Sequence, residues 1–208
     1  MTMEISVFVR RCLIFTVLFT PFAYILAQVV ALQMGDYEIL GPEPGKAIAW
    51  FTGEWAFNIL LLTLSVTPVR SWFGWKWPMA HRRMLGLFVM FYATLHLFSY
   101  IAFLLAWEWG DIGSELIERP YLTLGFLAWL LLIPLSITST KGWQRRLKRK
   151  WKSIHKVIYL IAILCAVHYL LQIRSNWFDP SLYAFITLVL LGQRFSWMKV
   201  KGYFVRSA

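Results

Sequence analysis

The segment RRMLGLFVMFYATLHLFSY, residues 82–100, is mostly apolar and carries His96 deep within it. A second run, LCAVHYLL at residues 164–171, carries His168 in the same way. A helix needs about 20 predominantly apolar residues to cross the hydrocarbon core of a membrane, and both runs belong to stretches of that length. Ionisable residues inside such spans are costly and usually functional. The two histidines are therefore candidate functional residues.

The composition is that of a membrane protein. The 208 residues are 59% hydrophobic and 15% charged, whereas soluble domains carry about 25% charged residues. Backbone polar groups in lipid must be paired within their own segment, so the spanning segments are helices. We predict an all-α polytopic membrane helix bundle that forms a single domain over residues 1–208. Six transmembrane helices are predicted, at about 12–32, 48–68, 80–106, 120–138, 154–173 and 180–197.

The charges of the connecting segments alternate in sign. The loop KGWQRRLKRKWK at 141–152 contains seven basic residues and no acidic ones. Other basic residues cluster near 10–11, 70–83 and 194–206, and acidic residues cluster near 36–43 and 108–118. The positive-inside rule then predicts that both termini are cytosolic. The same rule explains the net charge of +11 without a nucleic-acid partner.

The histidines fall at two predicted depths. At about 1.5 Å per residue, His96 and His168 lie roughly 24 and 22 Å from the cytosolic ends of their helices. Neutral imidazole is an axial ligand of haem iron, and two imidazoles on facing helices form a site suited to electron transfer. We therefore predict that His96 and His168 bind one haem between them. A structural hydrogen-bonding pair is the alternative.

A second, inner level contains His81 and His155, near the cytosolic ends of the same two helices. We predict His155 as a further haem ligand with a different group as its partner. The alternative is an interfacial residue that follows the basic loop. His81 is either another ligand or an ordinary polar residue at a helix start. Arg82 and Arg83 are candidates for binding haem propionates, because a guanidinium fork matches a carboxylate. The alternative for both arginines is snorkelling toward the membrane interface.

The sequence contains no G-x-G-x-x-G motif, no acid–base or nucleophilic constellation and no internal repeat that we can detect. We therefore expect the electrons to come from a membrane quinol or a separate donor, and the substrate to react on a partner. Two other hypotheses remain open at this point. One is a self-sufficient membrane reductase of a metal ion or oxygen, and the other is a non-haem transporter.

Four blocks occur in the order and spacing of a known family: FTGEWAFNILLLTLSVTPVR, RRMLGLFVMFYATLHLFSY, ERPYLTLGFLAWLLLIPLSITST and WKSIHKVIYLIAILCAVHYLL. The chain resembles the haem-binding membrane subunits of bacterial periplasmic methionine sulfoxide reductase systems, within the ferric-reductase-like transmembrane superfamily. The family's histidines correspond to His96, His155 and His168. The Arg82–Arg83 pair also matches, whereas His81 occupies a position without an expected family histidine.

The resemblance implies a b-type cytochrome of the bacterial inner membrane with one or two haem b groups. It implies an electron-transfer subunit rather than the catalytic subunit of the complex. Electrons would pass from the quinone pool to a periplasmic catalytic subunit that contains molybdopterin and reduces methionine sulfoxide in oxidised proteins. Some members of the family are described as binding FMN or as receiving electrons from a cytosolic flavin reductase.

Overall fold

Helices make up most of the described chain. The computed structural model describes residues 2–36, 38–172 and 176–206, with side chains described over 7–36, 38–172 and 176–194, and those residues include no strand. The α-helices are α1 (Thr2–Gln33), α2 (Pro44–Phe73), α3 (Arg82–Ser99), α4 (Ile112–Glu118), α5 (Pro120–Ile137), α6 (Lys141–Leu147), α7 (Arg149–Ile154), α8 (Val157–Leu171) and α9 (Phe178–Arg206). The predicted all-α class is confirmed.

Within the described residues, five segments are long and apolar enough to cross a membrane. They are Val7–Gln33, Pro44–Phe73, Arg82–Leu104, Pro120–Ile137 and Arg149–Leu171. These segments correspond to the first five predicted spans, so the chain is a multi-pass membrane protein. The sixth predicted span, 180–197, lies in α9, whose side chains are described as far as residue 194. Its crossing of the membrane and the cytosolic placement of the termini stay predictions.

The chain divides into two compact units, which are described separately. The first comprises Met1–Ile59 and Arg83–Ile112. Tyr92 of α3 is 0% exposed and its hydroxyl donates to the main-chain oxygen of Leu18 in α1 at 2.8 Å. The same hydroxyl accepts from the N–H of Phe22 at 3.0 Å. Leu18 and Phe22 are four residues apart and would pair directly in an undisturbed helix. Tyr92 is therefore inserted into the hydrogen-bond ladder of α1, next to Pro21, which itself lacks an N–H.

A π-helical turn over Tyr100–Leu104 continues α3. It is followed by Ala106 and Trp107, whose φ angles of 49° and 63° lie in the left-handed region. Single π-turns inside or at the end of α-helices are frequent at functional sites. This one begins four residues beyond His96, so the helix that carries the histidine departs from regular geometry directly after it.

The second unit comprises Leu60–Arg82 and Gly113–Ala208. Helix α8 is its central element and packs against both α5 and α9. Ile161 and Ala162 of α8 are 0% exposed, and the small alanine side chain allows neighbouring helices to approach closely. The indole of Trp151 in α7 donates to the main-chain oxygen of Thr138, just beyond α5, at 2.9 Å. The end of α5 and the start of the α7–α8 segment are thereby connected.

The basic segment 141–152, predicted as a loop, is largely helical, so this part of the prediction was wrong. It forms α6 and α7, separated by Lys148 with φ 47°. The hydroxyl of Thr140 caps α6 by accepting from the N–H of Trp143 at 3.3 Å. Arginine, lysine, glutamine and leucine are good helix formers. A high density of charge therefore did not exclude helix formation here.

Candidate haem-binding site

His96 is held by α2 in the first unit. Its Nδ1 lies 2.7 Å from the main-chain oxygen of Ala49, and Gly53 follows Ala49 by one helical turn. A Cβ atom at Gly53 would lie 2.9 Å from both Nδ1 and Cε1 of the imidazole, a separation that real Cβ atoms essentially never adopt. The half-buried ring therefore occupies space that only glycine leaves open.

His168 has the same setting in the second unit, where α5 provides it. Its Nδ1 lies 2.6 Å from the main-chain oxygen of Tyr121. A Cβ atom at Gly125 would lie 2.9 Å from Nδ1 and Cε1 of this imidazole as well. The Tyr121 ring is tilted toward the histidine, with 6.0 Å between the ring centroids. The close approach of the imidazole to the α5 backbone thus also depends on a glycine.

The two settings follow one sequence pattern. In both, the acceptor carbonyl precedes its histidine by 47 residues, and the glycine follows the acceptor by four residues. Both histidines were predicted from the sequence, but neither Gly53 nor Gly125 was. The shared spacing was the signal that could have found them, although it is too local to be visible as an internal repeat.

This setting determines which ring nitrogen can bind a metal. A carbonyl oxygen can only accept a hydrogen bond, so Nδ1 carries the ring proton of both His96 and His168. The lone pair then belongs to Nε2, and neutral imidazole in this form is a metal ligand. A hydrogen bond from the other nitrogen also fixes the ring orientation and raises the basicity of the ligand. Both residues therefore fit axial ligation of haem iron, while their pairing across one iron stays a prediction.

His155 lies at the break between α7 and α8. Its Nδ1 lies 3.1 Å from the main-chain oxygen of Trp151, and its ring stacks on the Trp151 indole with 4.0 Å between centroids. Its Nε2 is buried and makes no hydrogen bond of regular geometry among the described residues, although the main chain of Leu135 also contacts the imidazole. Burying a polar atom without a partner is costly, and iron would provide one. His155 therefore also fits a ligand role, which stays a prediction.

The remaining predicted site residues have different surroundings. His81 is 4% exposed and contacts the Trp77 ring edge-on at 6.2 Å between centroids. Arg82 lies within hydrogen-bonding reach of Tyr159 and interacts electrostatically with His155, so the structure brings Arg82 and His155 together. Arg83 is exposed. Ligation by His81, and propionate binding by Arg82 and Arg83, stay predictions.

Over the described ranges, no group of three or more His, Cys, Asp or Glu side chains is arranged to hold a metal ion. The histidines are instead distributed singly along the helices, each with its own main-chain or aromatic contact.

Comparison with known proteins shows the family of the chain. The family model for the ferric reductase like transmembrane component matches residues 52–166. That range includes Gly53, Gly125 and three of the four histidines, and it stops two residues before His168.

Several curated proteins are similar over nearly the whole chain. The protein-methionine-sulfoxide reductase heme-binding subunit MsrQ of Xanthomonas oryzae pv. oryzae is 43% identical over 95% of this chain and 90% of its own length. The subunit of the same name from Xanthomonas campestris pv. campestris is 41% identical, over 92% of this chain and 88% of its own. That of Rhodospirillum rubrum is 38% identical, over 88% and 86%. The chain therefore belongs to the family of protein-methionine-sulfoxide reductase heme-binding subunits, among the ferric reductase like transmembrane components.

Proposed function

We propose that the chain is the haem-binding, electron-transferring membrane subunit of a methionine sulfoxide reductase. The observation that carries this proposal is the repeated setting of His96 and His168. Each imidazole donates from Nδ1 to a main-chain oxygen of a neighbouring helix and is seated against a glycine. This setting orients a ring and fixes its tautomer, which are the properties that an axial ligand needs.

His96 and His168 would hold one haem b, and His155 would contribute to a second. A bound haem accepts and releases single electrons at its iron, whose potential depends on the axial ligands and their hydrogen bonds. The contribution of this chain is to orient the imidazoles, to keep Nδ1 protonated and to surround the group with apolar helices. Substrate chemistry then takes place on the partner, so the chain is an electron-transfer subunit rather than the catalytic one.

The direction of electron flow follows from the predicted topology. Six crossings with both termini in the cytosol would place His96 and His168 in the outer half of the bacterial inner membrane. From there, electrons would pass to a periplasmic catalytic subunit that contains molybdopterin, and a membrane quinol would supply them. FMN binding, and electron delivery by a cytosolic flavin reductase, remain predictions from the family resemblance. Flavin fluorescence of the purified, denatured protein would test the first of these.

The decisive test is the difference spectrum between dithionite-reduced and oxidised protein, purified after expression with ample haem. We expect Soret and α bands of a low-spin b-type haem. His96→Ala and His168→Ala should each remove most of the haem assigned to these two residues, because each would leave the iron without one ligand. The protein should remain inserted in the membrane. Cys165→Ala, one turn before His168 on α8, is the matched control and should retain the wild-type spectrum.

Wild-type protein without these bands would exclude the haem proposal and favour the transporter hypothesis. Wild-type haem content in both histidine variants would exclude the ligand assignment. If the isolated chain reduced a metal ion or oxygen at the same rate with and without a periplasmic partner, the self-sufficient reductase hypothesis would replace the subunit proposal.

A further inference from the structure

A small cavity in the second unit is lined by two arginines, Arg82 and Arg194. Its volume is about 10 Å³, which is about the room that one water-sized oxygen atom needs. Tyr159 of α8 connects the two cations: Arg82 lies within hydrogen-bonding reach of it, and the guanidinium of Arg194 lies 5.8 Å from the centre of its ring. The other lining residues are mostly apolar: Leu64, Thr67, Pro68 and Leu190.

The two guanidinium groups have no acidic partner in this unit. The two positive charges repel each other electrostatically. The sequence of the unit contains three acidic residues, Glu115, Glu118 and Asp179. The first two precede α5, and Glu115 pairs with Arg119 at 3.0 Å. Asp179 belongs to the same helix as Arg194 but lies about 22 Å away along its axis. The cluster therefore carries two positive charges that the unit itself does not neutralise.

The position of the cluster along the helices indicates which anions can reach it. Arg82 is the first residue of the candidate span Arg82–Leu104, so it lies at the end of the apolar segment, at the depth of lipid headgroups. Tyrosine is also enriched at that depth. Basic pockets between transmembrane helices bind anionic headgroups, and a guanidinium fork matches phosphate oxygens.

We propose that Arg82, Arg194 and Tyr159 bind the phosphate of an anionic phospholipid. One phosphate oxygen occupies the cavity and receives hydrogen bonds from the two guanidinium groups, and the apolar lining contacts the start of an acyl chain. This site would replace the propionate contact predicted for Arg82. The proposal is independent of the function proposed above, because it concerns a lipid rather than the electron carrier.

The test is native mass spectrometry of the full-length protein in detergent, titrated with phosphatidylglycerol or phosphatidylcholine. A charge-assisted hydrogen bond contributes about 1.5–3 kcal/mol, so losing one should weaken phosphatidylglycerol binding about tenfold or more. We expect this loss in Arg82→Gln and Arg194→Gln, with a smaller loss in Arg82→Lys, which keeps the charge but not the fork. The control Arg145→Gln removes one exposed positive charge from the same unit and should bind like the wild type.

A thermal-shift titration with inorganic phosphate, on protein held in phosphatidylcholine, distinguishes a lipid phosphate from a soluble phosphate. Protection of the wild type but not of Arg82→Gln by inorganic phosphate would support the site and assign it to a soluble phosphate. Equal phosphatidylglycerol affinity of the wild type and all four variants would overturn the proposal. Loss of haem from Arg82→Gln with unchanged lipid binding would overturn it as well, in favour of a propionate contact. Haem spectra of each variant are recorded in parallel, so a failure of the haem proposal is detected separately.

Discussion

Gly53→Ala and Gly125→Ala test whether the backbone of a neighbouring helix positions each histidine. The new Cβ atom would lie 2.9 Å from Nδ1 and Cε1 of the imidazole, whereas ordinary contacts begin at 3.4 Å. The ring must therefore move by about 0.5 Å or more. The movement would disturb hydrogen bonds that are now 2.7 Å for His96 and 2.6 Å for His168. Each substitution thus changes the ligand orientation without touching the ligand.

The expected effect can be estimated from two sources. Overpacking a tightly packed position costs about 1–3 kcal/mol. Disturbing the hydrogen-bond partner of a metal-bound histidine lowers metal affinity about 10- to 100-fold, which corresponds to about 1.4–2.7 kcal/mol. The two estimates overlap. We therefore expect each alanine variant to bind haem about 10- to 100-fold more weakly and to release it correspondingly faster.

The assay is the rate at which haem transfers from the purified protein to an excess of apomyoglobin, together with the haem-to-protein ratio. Gly86→Ala in α3 and Gly192→Ala in α9 are matched controls, because a Cβ at either glycine would meet nothing within 4 Å. Both should behave like the wild type. If Gly53→Ala and Gly125→Ala released haem at the rate of these controls, the close approach of the imidazoles to the glycines would have no role in ligation.

Two further predictions concern other contacts of the histidine helices. Tyr92→Phe removes the hydroxyl that is inserted into α1 and should destabilise the protein by about 1–2 kcal/mol. Its thermal midpoint should therefore be lower than that of the control Tyr24→Phe, which alters an exposed tyrosine of α1. Equal midpoints of the two variants would contradict the inserted hydrogen bonds. His155→Ala should change one component of the haem spectrum and leave the component assigned to His96 and His168. The control Trp151→Phe keeps an aromatic ring beside His155 but removes the indole N–H, and it should retain both components. An unchanged spectrum in His155→Ala, with one haem per chain, would refute the second haem.

Much of the helical framework could be predicted because hydropathy and helix length are local properties of the sequence. Five predicted spans correspond to candidate membrane-crossing segments, and His96 and His168 stood out because imidazoles are rare inside apolar runs. The ends of the fifth span were less predictable. The apolar run begins near residue 154, but the segment extends back to Arg149, since long basic side chains can reach the interface from within a helix.

The contacts that define the candidate site could not be predicted in the same way. Ala49 and Tyr121 contribute main-chain oxygens, and any residue type has one, so their identity carries no signal. The hydroxyl of Tyr92 reaches a residue 74 positions earlier in the chain, and only the packed structure places it there. Glycine is common in membrane helices, so Gly53 and Gly125 became recognisable only when the imidazoles were located against them.

The choice of a main-chain oxygen as the histidine partner has a chemical consequence in a membrane. A carboxylate in that position would raise the ligand basicity further and stabilise ferric iron more strongly, but an ionised carboxylate within a span is costly. A carbonyl is neutral and is already present on the neighbouring helix, so it fixes the tautomer without introducing charge. It also cannot be removed by substitution at Ala49 or Tyr121, because every residue supplies the same atom. The distance between helix and ring is the property that the sequence can adjust, and in both units a glycine sets it. Mutations at the two glycines should therefore change haem binding in a graded way, with larger side chains causing larger losses. Tyr121→Phe, which keeps both the main-chain oxygen and the aromatic ring beside His168, should have little effect.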